Sequence, residues 1–401
     1  MPHVLGALVH RYGDFDACED ALQEAIMDAI TQWGRDGVPE HPRGWLIRVA
    51  SRRIVDNLRR DQSRDAREAK VAHSDGVEPA AYDSVDDTLH LLYLCCHPVL
   101  TPASQVALTL RAVAGLTTAQ IASAFLVPVA TMAQRISRAK ATLRAASVRF
   151  EEPAAEKRAG RLAAVRHVVY LVFNEGYTAS GGNRLVDVPL TREAIRLCRE
   201  LTVRLPDDDE AAGLLALMLL TAARTPARTD EHSDLVRLAD QDRGLWNHAY
   251  IREGVVILEK VLPRGRVGRF QLEAAIAAVH AEAVDAEDTD WLQVATLYRM
   301  LEQVSPGPAV SLGRGVAVAM CNGAPAGLTI VDGLLEDGPM RRHHRIHAVR
   351  GHLLEMAGRD HDAIDAYRLA ARLATSIPEQ RYLHARAAAL SDPGATPIAR
   401  R

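Results

Sequence analysis

The chain has 401 residues, with 48 Lys and Arg against 51 Asp and Glu and a formal net charge of -3. That length supports two or three domains with sizeable cores, and the near balance of charge excludes a uniformly basic nucleic-acid coat, so any polyanion contact must come from local segments. Aromatics are only 4% of the residues while Ala, Leu and Arg abound, which predicts an all-α protein. No run of ~18 uncharged apolar residues occurs and the N-terminus has no signal-peptide layout, so the expectation is a cytoplasmic protein without membrane contact.

In chain order, Phe15 to Trp33 puts Phe15, Cys18, Leu22, Ala25, Ile26, Ala29 and Trp33 at helical spacing, with Asp16, Asp20, Gln23, Glu24 and Asp28 polar. This predicts an amphipathic helix with an acidic face, for which plain solvation is a sufficient explanation. A polar loop, GRDGVPEHP, ends at Pro42, which suits the first turn of a following helix. Gly44 to Arg60 then places Arg48, Arg52, Arg53, Arg59 and Arg60 around a helix whose apolar contacts are Trp45, Ile47, Ala50, Ile54 and Leu58. Asp56 is its one acid. From 63 to 86 the periodicity dissolves into a polar, acid-bearing stretch with a Gly and a Pro, which reads as a linker.

Helix resumes over 87–96. In LHLLYLCCHP, Cys95 and Cys96 continue an apolar face, and no second ligand pair follows at zinc-site spacing. They are read as core side chains, with no metal and no cofactor expected; the five cysteines form neither a CxxC pair nor a disulfide framework. Thr101 and Pro102 open another helix by capping and an N1 proline. Gly115 to Arg149 then parses as a helix-turn-helix. Thr117 and Gln120 can form a capping box, the chain breaks at Leu126-Val127-Pro128, and Val129, Met132, Ile136, Ala139 and Leu143 recur at core spacing on a second helix. Its other side carries Ala130, Gln134, Ser137, Arg138 and Ala141, flanked by Arg135 and Lys140, a face that fits a major groove. Pro98 to Phe150 contains no Asp or Glu but includes Arg111, Arg135, Arg138, Lys140, Arg144 and Arg149. DNA binding is the favoured reading of this one-sign segment, and an ordinary helical hairpin with a solvated basic face is the alternative.

Beyond Pro153, Arg161 to Phe173 is an apolar helix, and NEGYTASGG after it reads as a glycine-rich interhelical turn. A pocket around Asn174, Glu175 and Tyr177 is the functional alternative there. From His347 to Pro378, Gly351, Gly358, Ala363, Tyr367 and Ala370 match the small and aromatic positions of a tetratricopeptide unit. Tyr298 precedes Tyr367 by close to two periods of ~34 residues, and the unit between them lacks a good aromatic position. Stacked helical hairpins leave a concave surface, which predicts a protein or peptide partner. The basic run Arg341-Arg342-His343-His344-Arg345 reads as an exposed helix start. No P-loop, dinucleotide fingerprint, zincin helix or nucleophile elbow is present, and Glu175 alone makes no catalytic site, so no catalytic residue is assigned and the protein is not read as an enzyme.

The order of these parts carries a resemblance. Glu19-Asp20-Ala21-Leu22-Gln23-Glu24, then GWLIRVASRRIVDNLRR, an acidic linker, and a helix-turn-helix ending PVATMAQRISRAKATLR together resemble regions 2 and 4 of bacterial sigma factors of the extracytoplasmic-function (ECF) group, over about residues 1 to 150. The remainder is similar to the subgroup with a tetratricopeptide-like C-terminal extension, as is YLVFNEGYTASGG. The resemblance implies region 2 at 1–62, a linker at 63–86, region 4 at 87–150 and a helical extension over 151–401.

It also implies partners, core RNA polymerase and promoter DNA, and roles for particular residues. Asp20, Gln23 and Glu24 would dock on core polymerase. Arg48, Arg52, Arg53 and Arg59, with the loop from Trp33 to Pro42, would hold the opened minus-ten strand, where an extruded base needs a pocket and the backbone needs cations. Gln134, Ser137 and Arg138 would meet bases of the minus-thirty-five duplex, and Thr131, Arg135 and Lys140 its phosphates. Two departures stand out: Ala133 replaces a residue that is often basic in the group, and the acidic helix begins so near the N-terminus that a shortened region 2 is expected. The alternative reading is an independent helix-turn-helix regulator whose repeat domain senses a ligand or partner; it leaves the arginine helix at 44–60 unexplained.

Overall fold

A computed structural model describes residues 2–65, 88–125, 127–178, 185–336 and 339–391. Among these residues the regular structure is helical, apart from an isolated bridge between Thr229 and Leu235, so the protein is all-α. Two compact units divide it: Met1–Ser123 with Val127–Leu171, and Ala124–Leu126 with Val172–Arg401.

The first unit is built from α1 (Pro2–Tyr12), α2 (Phe15–Asp36), α3 (Pro42–Asp65), α4 (Thr88–Cys95), α5 (Pro102–Ala112), α6 (Thr118–Ala124), α7 (Val129–Ala145) and the first part of α8 (Ala155–Tyr177). The residues before the acidic helix, to which the sequence reading assigned no element, form α1, and its Val4, Leu5, Leu8 and Val9 are all buried. That apolar stripe packs against α2, α3 and α4, so one short helix joins both halves of the unit's core. Asp14 starts α2 by accepting from the backbone N–H groups of Asp16 and Ala17 at 3.0 and 3.1 Å. Helix α3 runs on to Asp65, and the linker read at 63–86 otherwise lies outside the described residues.

Thr101 caps α5, its hydroxyl accepting from Ser104 N at 3.3 Å, with Pro102 in the first turn. Cys95 and Cys96 are fully buried where α4 meets α5. Burial pushes the Cys96 thiol up to about 12, its Sγ lying 3.6 Å from Thr109 Oγ1, so it remains a protonated packing group at neutral pH.

The second unit continues from α8 through α9 (Val188–Arg204), α10 (Asp209–Ala222), α11 (His248–Val261), α12 (Arg269–Glu282), α13 (Trp291–Val304), α14 (Pro308–Asn322), α15 (Ala324–Glu336), α16 (His344–Met356), α17 (Asp360–Leu373) and α18 (Ile377–Ser391). Helix α10 is apolar on every side, with Leu214, Ala216, Met218 and Leu219 completely buried, because α9, α11 and α12 surround it. The turn expected at NEGYTASGG is corrected in part: Asn174 to Tyr177 are the last turn of α8. Gly176 suits that turn because α9 approaches so closely that a Cβ there would lie 2.6 Å from Thr191 N. Ala179 to Gly182 lie outside the described residues.

Helices α14 and α15 pair closely, as do α16 and α17. In the latter pair Gly351 lets the ring of Tyr367 lie against the α16 backbone, where a Cβ would stand 2.9 Å from that ring, and the Tyr367 hydroxyl donates to Glu355 at 2.7 Å. Gly315 and Val331 precede Gly351 and Tyr367 by the same interval and make the same kind of contact. Fully buried Val331 thus fills the position where the sequence showed a poor aromatic.

His280 on α12 meets Trp291 edge-on at 5.2 Å, and its backbone carbonyl accepts from Arg243 at 2.7 Å. Burial, with the charges of Arg224 and Arg243, holds its imidazole down at about 4. A depressed folded value means that the unfolded chain binds the proton first. The resulting penalty is absent above the ordinary His value of 6.5, grows as pH falls and is complete near 4, reaching about 3 kcal/mol. The midpoint of urea unfolding followed through Trp246 and Trp291 should therefore drop between pH 6.5 and 4, and His280→Gln should flatten that drop. An unchanged slope in the variant assigns the pH response to other groups.

Candidate nucleic-acid interface

Local sequence builds the helix-turn-helix. Thr117 N donates to Gln120 Oε1 at 2.8 Å and Gln120 N donates to Thr117 Oγ1 at 3.2 Å, the reciprocal capping box that starts α6. Pro128, extended at φ -57° and ψ 142°, stands at the N-cap of α7. Met132, Ile136, Ala139 and Leu143 bury one side of α7, as their spacing predicts. Val129 does not join them: at the first helical position, where no preceding turn covers it, it is 51% exposed.

The opposite side of α7 presents Thr131, Gln134, Ser137 and Arg138 to solvent, with Arg135 half-buried beside them. Position 133 is an exposed alanine on the same helix. The Arg138 side chain makes no salt bridge among the described residues, which leaves its planar fork available to an external acceptor. Arg48, Arg52 and Arg59 are exposed on α3. Near the α2–α3 connection Trp33 and Trp45 meet edge to face at 5.4 Å, with both rings half-buried.

Four assigned side chains are already engaged. Lys140, expected on phosphates, is only 8% exposed, and its Nζ lies 2.9 Å from Asp16, 2.7 Å from Glu19 and 2.9 Å from Asp20. Its ammonium is thus occupied by the acidic helix α2, whereas the sequence assigns it to phosphates. Asp20, assigned to polymerase, is one of its partners, although that carboxylate keeps 70% of its side-chain surface exposed. Arg53, assigned to the opened strand, is ion-paired to Glu24 and Asp28 across α2 and α3. Glu24 is therefore occupied too, while Gln23 is half-buried.

The ion cluster between α2, α5 and α7 escaped the sequence reading. Glu19 is 1% exposed and sits between Lys140 and Arg111, whose Nε is 2.9 Å from Glu19 Oε1; Arg144 pairs with Asp16 at the exposed end. A signal existed, since Glu19 lies beside Cys18 and Leu22 on the buried side of α2. An acid in such a position demands a buried cation. Nothing local names that cation.

Residues 1–64 match the family Sigma-70 region 2, residues 90–143 match Sigma-70, region 4, and residues 161–262 match a family of unknown function, DUF6596. An uncharacterized protein of Rhizobium meliloti is 42% identical over 395 residues, 95% of this chain and 92% of that protein. In two strains of Mycobacterium tuberculosis a protein with the name "Probable ECF RNA polymerase sigma factor SigI" is 32% identical over 135 residues, 32% of this chain and 46% of that protein.

Proposed function

We infer that this chain, which belongs to one family with the Rhizobium meliloti protein and is a sigma factor by its regions 2 and 4, binds core RNA polymerase and directs initiation at particular promoters. The observation that carries this is the presence, in order on one chain, of region 2 with its exposed arginines and region 4 with its exposed Gln134, Ser137 and Arg138. An independent helix-turn-helix regulator has no use for the first of these. The likeness to the Mycobacterium tuberculosis protein supports membership of the ECF group. The work is binding, done in the cytoplasm where polymerase acts. The helix pairs α14/α15 and α16/α17, with their shared glycine contacts, support a tetratricopeptide-like extension that docks a protein or peptide and regulates the first unit.

Polymerase docking through α2 gains support from its surface. Met27 and Ile30 are each 65% exposed near Glu24, an apolar pair with a charged rim that suits a protein partner. Docking at Asp20 competes with Lys140, so engagement of polymerase loosens the hold of α2 on the end of α7.

Gel filtration of the purified chain with core polymerase tests the reading. Wild type should co-elute, and the combined Met27→Lys and Ile30→Lys variant should not, with its melting temperature unchanged because both side chains are already in solvent. A second variant, Asp20→Lys, Gln23→Lys and Glu24→Lys, should also lose polymerase, but with some loss of stability from the broken ion pairs. Failure of wild type to co-elute with any core preparation removes the sigma reading.

A further inference from the structure

Within the stretch matched to the family of unknown function, residues just before and along α9 and the connection from α10 to α11 line a cavity of about 530 Å³. Asp187 caps α9 by accepting from Leu190 N at 3.0 Å. The 3₁₀ turn Thr225–Ala227 follows α10 directly, and the Thr229–Leu235 bridge closes a loop in which Ser233 is held at φ 62°, the left-handed region that a serine rarely adopts. Asn247 caps α11, its side-chain oxygen accepting from Ala249 N and Tyr250 N, each at 3.1 Å.

The lining sorts by chemistry. Leu185, Ile195 and Ala222 are buried and apolar, while Arg192 and Asn247 are exposed and mark the mouth. With its oxygen committed to the cap, Asn247 offers only N–H donors to a ligand. Arg192 is a donor too. No Asp or Glu is among the described lining residues. Donors around an apolar chamber, with Arg192 the one Arg or Lys among the described lining residues, select a ligand that accepts hydrogen bonds and carries negative charge.

We propose that this cavity binds a small amphipathic monocarboxylate, its apolar body against Leu185, Ile195 and Ala222 and its carboxylate held at the mouth by the Arg192 guanidinium and the Asn247 amide. The volume falls within the range of ~300–1,000 Å³ usual for small-molecule sites. A cation is disfavoured by Arg192 and finds no acid among the described lining residues. A neutral alcohol gains the apolar wall but leaves the guanidinium without its ion pair. The inference goes beyond the sigma reading and does not depend on it, because occupancy is measured directly on the full chain without polymerase.

Titration calorimetry with decanoate, decanol and decyltrimethylammonium tests it. Decanoate should bind at one per chain, decanol about tenfold or more weaker, and the cation not at all. Arg192→Glu, an exposed substitution, should weaken decanoate by about tenfold or more while leaving decanol unchanged. Val188→Trp, at a lining side chain already 37% exposed, should block both without disturbing the core. The proposal is overturned by absence of saturable decanoate binding, by a stoichiometry well above one, or by equal decanoate affinity in wild type and Arg192→Glu.

Discussion

Lys140→Met is expected to destabilise the first unit by about 3 kcal/mol, the range for removing one member of a buried ion pair. The cost arises on the partner that remains. Glu19 keeps Arg111 but loses the Nζ at 2.7 Å, and at 1% exposure water cannot replace it. Asp16 and Asp20 lose the same cation but can rehydrate, with 27% and 70% of their side-chain surfaces exposed. Amide hydrogen exchange should reveal the change as roughly hundredfold faster exchange in α2 and α7 through opening of the unit, with α14 to α17 unaffected. Replacing Glu19 as well, as Glu19→Met with Lys140→Met, should cost less than the two single changes added, since both charges then leave together. Salt separates the buried contact from the exposed one: high ionic strength should weaken Arg144 with Asp16, where Arg144 is 60% exposed, far more than the contacts of Lys140. Unaltered protection of α2 and α7 in Lys140→Met means that the cluster contributes nothing to the fold.

Arg138→Ala should reduce promoter-specific binding about 10- to 100-fold, the ~1–3 kcal/mol of a good base contact, with co-elution on core polymerase nearly intact. Arg138 sits on the exposed side of α7 and spans none of the ion pairs, so its loss leaves the helix in place. Arg135→Ala should behave differently. As a phosphate contact it should weaken all sequences alike and lower the salt slope by about 1. Run-off transcription from a selected promoter, alongside binding to that promoter and to a scrambled duplex, separates the two. Equal transcription by wild type and Arg138→Ala takes that residue off the reading face.

The two experiments bear on different kinds of evidence. Arg138 and its neighbours were legible as a face because helical spacing alone separates them from Met132, Ile136 and Leu143. The α6 start was legible for a similar reason, since Thr117 and Gln120 meet within one turn. Arg53 was not separable from Arg52 or Arg48 in this way. All three lie on one basic helix, and only the packing of α3 on α2 sets Arg53 opposite Glu24 and Asp28. Likewise a glycine-rich string reads as a turn until α9 is seen to press on Gly176.

By itself the sequence determined the all-α class, the capped starts of α5 and α6, the helix-turn-helix, the order of sigma-like parts and the buried role of Cys95 and Cys96. Each of these rests on contacts within a turn or two of helix, or on the burial of an uninterrupted apolar stripe, and both are written in residue spacing. Tertiary structure alone decided that Lys140 belongs to Asp16, Glu19 and Asp20, that α1 joins the halves of the first unit, and that Arg192 and Asn247 flank one cavity. Those partners come from distant elements, and many acids and bases in the chain have equally suitable charge. Only the packed geometry, which removes water from Glu19 and brings one particular ammonium within reach, selects among them.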